Sequence, residues 1–91
     1  SNINSRIPVS ISKNSFQAIM IGQDINHPKI DFIKDIKKIK VGDSVSTSGR
    51  GGIFPPYLLI GEIDSINNDK IRVKLLEDVS QLTYVRIIEI N

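Results

Sequence analysis

Apolar and polar residues alternate along most of this chain, and that alternation places its elements. Neighbouring side chains on a strand point to opposite faces, so a period of two reads as a strand with one buried face. Ile7, Val9 and Ile11 alternate with Arg6, Pro8, Ser10 and Ser12 in the first run. Residues 16–22 form a second run, apolar on both faces. Residues 29–33 form a short third, with Ile30 and Phe32 on one side and Lys29 and Asp31 on the other. Val41, Val45 and Thr47 share a side in a fourth, against Ser44, Ser46 and Ser48. Residues 58–66 make a long fifth run, and Lys70, Arg72 and Lys74 alternate with Ile71, Val73 and Leu75 in a sixth. Residues 82–90 close the chain as a further apolar run.

Turn residues fall between these runs. Asn67-Asn68-Asp69 tolerates left-handed and turn backbone and reads as a hairpin. Gly42-Asp43, Gly49, Gly51-Gly52 and Pro55-Pro56 break the other runs. No stretch carries a long helical period. Ile33, Ile36 and Ile39 recur every three residues, which fits one helical turn or an extended loop over residues 34–40, and residues 77–82 fit a single turn. Strands at short spacing, several apolar on both faces, predict an all-β fold: a small, mostly antiparallel six- or seven-stranded barrel or half-open sandwich.

Composition narrows the chemistry. With 91 residues the chain holds one domain and can bury a modest core without disulfides or metal. A net charge of +2 is too small to argue by itself for nucleic acid or a membrane surface. The absence of cysteine excludes a disulfide scaffold, a thiolate zinc site and a cysteine nucleophile. One histidine, His27, and scattered carboxylates do not make a metal-ligand set. No apolar run approaches the ~18 residues that span a bilayer. No signal-peptide pattern opens the chain. Ser1 and Asn2 read as a cleavage scar, and residues 3–91 as a single barrel-like domain.

The densest motif runs over residues 41–56, Val-Gly-Asp-Ser-Val-Ser-Thr-Ser-Gly-Arg-Gly-Gly-Ile-Phe-Pro-Pro. A phosphate loop would need a Lys-Ser/Thr pair opening a helix, and Ile53-Phe54-Pro55 follows instead. Gly42-Asp43-Ser44 resembles the start of a chymotrypsin-like nucleophile segment. However, no acid in a recognisable setting completes a triad with His27, which reads as a surface loop residue, and Val45-Ser46 stand where glycines should follow. Lys34, Lys37, Lys38 and Lys40 form a basic cluster that a small nucleic-acid-binding barrel would use. Asp31 and Asp35 interleave with them, and stacking aromatics are few. The motif is therefore expected to be architectural. Gly49, Gly51 and Gly52 supply turn backbone, Pro55 and Pro56 hold an extended segment, and Phe54 plugs the core. Tyr57-Leu58-Leu59-Ile60 then places four apolar residues where alternation buries about half. Either a barrel covers both faces, or Tyr57 and Leu59 reach solvent as a contact for a partner.

The run Val-Gly-Asp-x-Val-x-Thr-Ser-Gly-x-Gly-Gly-x-Phe-Pro-Pro, then Leu-x-Ile-Gly-Glu ending at Gly61-Glu62, resembles the signature of the MreC family of rod-shape-determining proteins. The opening Asn4-Ser5-Arg6-Ile7-Pro8-Val9 and the closing Leu82-Thr83-Tyr84-Val85 are similar to the same family. That resemblance implies the C-terminal β-rich part of a larger bacterial inner-membrane protein with its bulk in the periplasm, tied to the membrane only through an N-terminal anchor outside this stretch. It implies a scaffold of the cell-elongation machinery rather than an enzyme, without cofactor, metal or nucleic acid. Its partners would be further copies of itself, penicillin-binding protein 2, MreD and, through them, the actin-like MreB. The family's β-domains resemble chymotrypsin-type barrels without a working triad. Two positions depart from the family pattern: glycine is usual where Tyr57 stands, and proline is common where Leu59 stands. If that glycine serves a positive φ, Tyr57 is strained there.

Overall fold

The computed structural model describes residues 6–13, 15–22, 28–52 and 54–76. Six strands close into an antiparallel barrel in the order β1-β2-β3-β6-β5-β4, with β4 returning to β1. The strands are β1 (Arg6–Ile11), β2 (Phe16–Ile21), β3 (Lys29–Asp31), β4 (Ser44–Thr47), β5 (Leu59–Asn67) and β6 (Lys70–Leu75). Closure removes free sheet edges and accounts for strands that are apolar on both faces. No helix among the described residues is long and apolar enough to cross a membrane.

The core follows the alternation. Ile7, Val9 and Ile11 of β1 meet Ala18 and Met20 of β2, Ile30, Val45, Ile60 and Ile63, and Ile71 and Val73 of β6. The β1–β2 hairpin pairs Ile11 with Phe16, and Ser12 and Lys13 both take positive φ in its loop. Pro8 donates no N–H; it lies one residue before the β1–β4 ladder, and its carbonyl accepts from the Ser48 N–H at 3.2 Å. Asn67 pairs with Lys70 across the tight turn at Asn68, whose φ is 58°.

Three features depart from strict alternation. The third run ends early: Phe32 takes φ 59° and donates its N–H to the Asp31 carboxylate, so it leaves the sheet and is 61% exposed instead of sharing Ile30's side. Val41 does not join the fourth strand. Gly42 at φ 95° and Asp43 fold residues 40–43 into a turn, and Val41 is 64% exposed. The fifth strand carries two irregularities, skipping Ile60 between pairs Gly61–Val45 and Leu59–Ser46, and Asp64 between Ile63–Val73 and Ser65–Arg72. Each such bulge adds a residue and bends the strand, which puts Ile60 and Ile63 both in the core despite their odd spacing.

The segment with isoleucines every three residues forms a 3-10 turn over Ile36–Lys38. Three residues per turn align positions three apart, so Ile33, Ile36 and Ile39 all face the core, with Ile39 buried. The run at 82–90, the turn at 77–82 and His27 lie outside the described residues.

Candidate functional site

The glycine–proline motif is organised around Thr47, a 1% exposed residue at the end of β4. Its hydroxyl donates to the Pro55 carbonyl at 2.7 Å and accepts the Leu58 N–H at 2.9 Å. Its backbone carbonyl accepts the Tyr57 N–H at 2.7 Å, and its N–H donates to the Leu58 carbonyl at 2.9 Å. One buried residue thereby satisfies most of the polar backbone between Pro55 and Leu58, a stretch with no ladder of its own. By alternation alone the threonine is only a strand position. Its signal lay in being a buried-side hydroxyl just before a glycine break, since a buried hydroxyl must find partners.

Gly49 (φ 79°) carries the chain away from β4 and lies against the Pro56 ring. Gly51 and Gly52 also take positive φ, in the short 3-10 turn Arg50–Gly52, with open space where a Cβ would stand. The Ser48 hydroxyl accepts the Arg50 N–H, and Gly49's carbonyl accepts the Gly52 N–H. Phe54 is partly buried and packs against the core cluster, while Pro55 and Pro56 are exposed.

Gly42 and Asp43 lie at the other end of β4. The Asp43 carboxylate accepts the Lys40 N–H at 2.9 Å, and its N–H donates back to the Lys40 carbonyl. Ile63 receives the Gly42 N–H on its carbonyl and donates its own N–H to Asp43, which ties the turn to β5. Gly61 is wedged in the sheet: a Cβ there would run into the Lys74 carbonyl oxygen. The motif residues thus divide between two ends of β4 and one position on β5.

Just beyond the prolines, Tyr57 takes φ 67° and is 64% exposed, with Leu58 and Leu59 about half exposed beside it. They form a continuous apolar strip whose backbone is fixed to Thr47. Ser44, in the segment that resembles a nucleophile motif, is partly buried on β4, and its hydroxyl accepts the Lys13 N–H at 3.3 Å. Lys34, Lys37, Lys38 and Lys40 are all exposed around the 3-10 turn, as is Asp35. Among the described residues no group of three His, Asp or Glu side chains gathers as a metal site.

The profile of the family described as rod shape-determining protein MreC, barrel core, matches residues 1–89. A protein named cell shape-determining protein MreC from Cereibacter sphaeroides is 33% identical over 92% of the chain and 28% of its own length. The protein of the same name from Caulobacter vibrioides is 37% identical over 96% of the chain and 25% of its own length. The chain therefore spans about a quarter of the length of these curated relatives. The crystal structure of MreC from Pseudomonas aeruginosa superposes with a TM-score of 0.67 at 23% identity, covering 77% of this chain and 50% of that one, which shows a shared fold. With a family profile spanning nearly its whole length and curated relatives along almost all of it, the chain belongs to the MreC family of rod shape-determining proteins.

Proposed function

We propose that this barrel is a non-catalytic scaffold domain that helps maintain bacterial cell shape by binding other proteins of the cell-elongation machinery in the periplasm. In this reading it is one part of a longer protein anchored in the inner membrane, and its partners are further copies of itself, penicillin-binding protein 2 and MreD, with MreB connected through them. The relatives' shared name, cell shape-determining protein, supports the biological setting. The observation that carries the binding mechanism is the strip Tyr57-Leu58-Leu59. Its side chains project from a backbone clamped to buried Thr47, so a partner meets an apolar surface that costs little to order. Tyrosine suits such a contact, because it offers a large apolar area with a polar tip.

The test is Tyr57→Ala combined with Leu59→Ser, measured for binding to purified penicillin-binding protein 2 and for self-association by analytical ultracentrifugation. Binding should fall by at least about tenfold, the equivalent of ~1.4 kcal/mol, while the thermal melt stays near that of the parent. Unchanged binding to both would reject the strip as the contact.

A further inference from the structure

A groove of about 700 Å³ opens in the barrel wall where β3 gives out. The β2–β3 ladder covers only Ile19–Ile21 against Lys29–Asp31. Phe32 then turns the chain away at φ 59°, so the first half of β2 runs on past the end of that ladder. The floor is mostly apolar: Phe16, Ala18 and Ile19 of β2 and Ile33 and the exposed Phe32 beyond β3, with polar Ser15 and Gln17 beside them. The rim is charged and unbalanced: Lys34, Lys38 and Arg50 stand against a single carboxylate, Asp35. The Arg6 guanidinium lies over the Phe32 ring, 5.6 Å from its centroid, and steadies an aromatic that is otherwise largely in solvent.

A mostly apolar floor with a cationic rim selects its occupant by chemistry. Aliphatic and aromatic side chains would leave water on the floor while carboxylates meet the three cations at the edge. We propose that the groove docks an extended, acidic segment of a partner protein, one that alternates apolar and acidic residues. This rests on the protein-interaction reading above and adds to it a second surface that shares no residue with the Tyr57 strip. A nucleic acid fits less well: Asp35 repels phosphate from within the rim, Arg6 already covers one face of Phe32, and half the floor is aliphatic and gives bases nothing to stack on. A bilayer fits less well too, since the site is concave and a membrane surface engages side chains that protrude.

The experiment titrates the 15N-labelled 91-residue chain with a capped peptide alternating leucine and glutamate, and with its leucine–lysine counterpart. The glutamate peptide should shift the amides of Phe16, Ile19, Phe32 and Lys38, and the lysine peptide should not. Lys34→Glu with Lys38→Glu, both exposed, should weaken binding at least about tenfold with an otherwise native amide spectrum. Lys70→Glu with Lys74→Glu on β6 changes the net charge equally and should bind as the parent does. Four outcomes would overturn the proposal: equal binding of the two peptides, shifts confined to another surface, an equal loss in the β6 control, or displacement of the peptide by a single-stranded oligonucleotide. The peptide titration does not involve Tyr57 or the whole partner proteins, so its failure leaves the scaffold reading standing, and a failure of the Tyr57 test leaves this one standing.

Discussion

Gly49 lies so close to Pro56 that a Cβ on the glycine would stand 2.8 Å from the proline Cβ. Gly51 has the same φ of 79° but nothing within 4 Å of its notional Cβ. The pair separates backbone strain from crowding. Gly51→Ala meets only left-handed backbone, about 1–2 kcal/mol, offset by about 0.5–1 kcal/mol from a stiffer unfolded chain. Gly49→Ala pays that and must also push the proline segment off Thr47, for a loss of about 2–4 kcal/mol in all. Urea unfolding of the two variants measures the difference, and equal losses would remove the Gly49–Pro56 contact from the account of this loop.

Thr47 offers a sharper test of what holds the motif. Thr47→Val keeps the shape and deletes the hydroxyl, leaving the Pro55 carbonyl and the Leu58 N–H without their partner. Both bonds are part-buried, so each orphaned group costs less than the about 1–3 kcal/mol of a fully buried one. Thr47→Ser keeps both bonds and loses one methyl, about 1 kcal/mol. The valine variant should therefore melt below the serine one and show faster amide exchange at Leu58. A serine variant as damaged as the valine one would mean that packing, not the hydroxyl, matters at this site.

At Gly61 the crowding comes from backbone, which cannot swing aside. An alanine Cβ would collide with the Lys74 carbonyl and lie 3.0 Å from the Leu75 Cα. Relief requires spreading β5 from β6 beside the bulge at Ile60, at a cost of about 3 kcal/mol. Gly61→Ala should show that loss in denaturant unfolding, with the β5–β6 amides losing protection first. A variant as stable as the parent would show that the ladder opens there at little cost.

Strand positions were legible wherever burial alone decided them. Ile7, Val9 and Ile11, and Ile71 and Val73, alternate in sequence and face the core in space. The hairpin turn at Asn68 was legible because asparagine tolerates its positive φ. Four things were hidden, each for a physical reason. Phe32 and Val41 look like strand residues, but a left-handed φ at Phe32 itself and Gly42 beside Val41 end the runs, and periodicity does not report backbone handedness. The bulges at Ile60 and Asp64 shift the inward phase of β5, so counting by twos fails across them. Thr47 looks like one β-former among several. Its importance depends on Pro55 and Leu58 returning to it, a contact eight and eleven residues away in sequence. The groove was illegible as a site because Phe16, Phe32, Lys34 and Arg50 meet only once the barrel has closed.

Tyr57 joins the two levels, since its backbone and its ring make separable claims. Its φ of 67° is a geometry glycine enters freely and a side chain resists. Tyr57→Ala removes the ring but leaves a Cβ in the same strained backbone. Tyr57→Gly removes both. The ring is largely in solvent, so its loss should change stability little. Against the alanine variant, glycine sheds about 1–2 kcal/mol of left-handed strain and gives back about 0.5–1 kcal/mol through the freer unfolded chain. The glycine variant should therefore be the more stable of the two, by about 0.5–1 kcal/mol. If the ring is the partner contact, both variants should lose partner binding to the same degree despite that gap. Stability measured by urea unfolding, set beside affinity for penicillin-binding protein 2 and for the chain itself, reads both at once. An alanine variant more stable than the glycine one would deny the positive φ in solution. Binding that tracked stability instead of the ring would move the contact away from Tyr57.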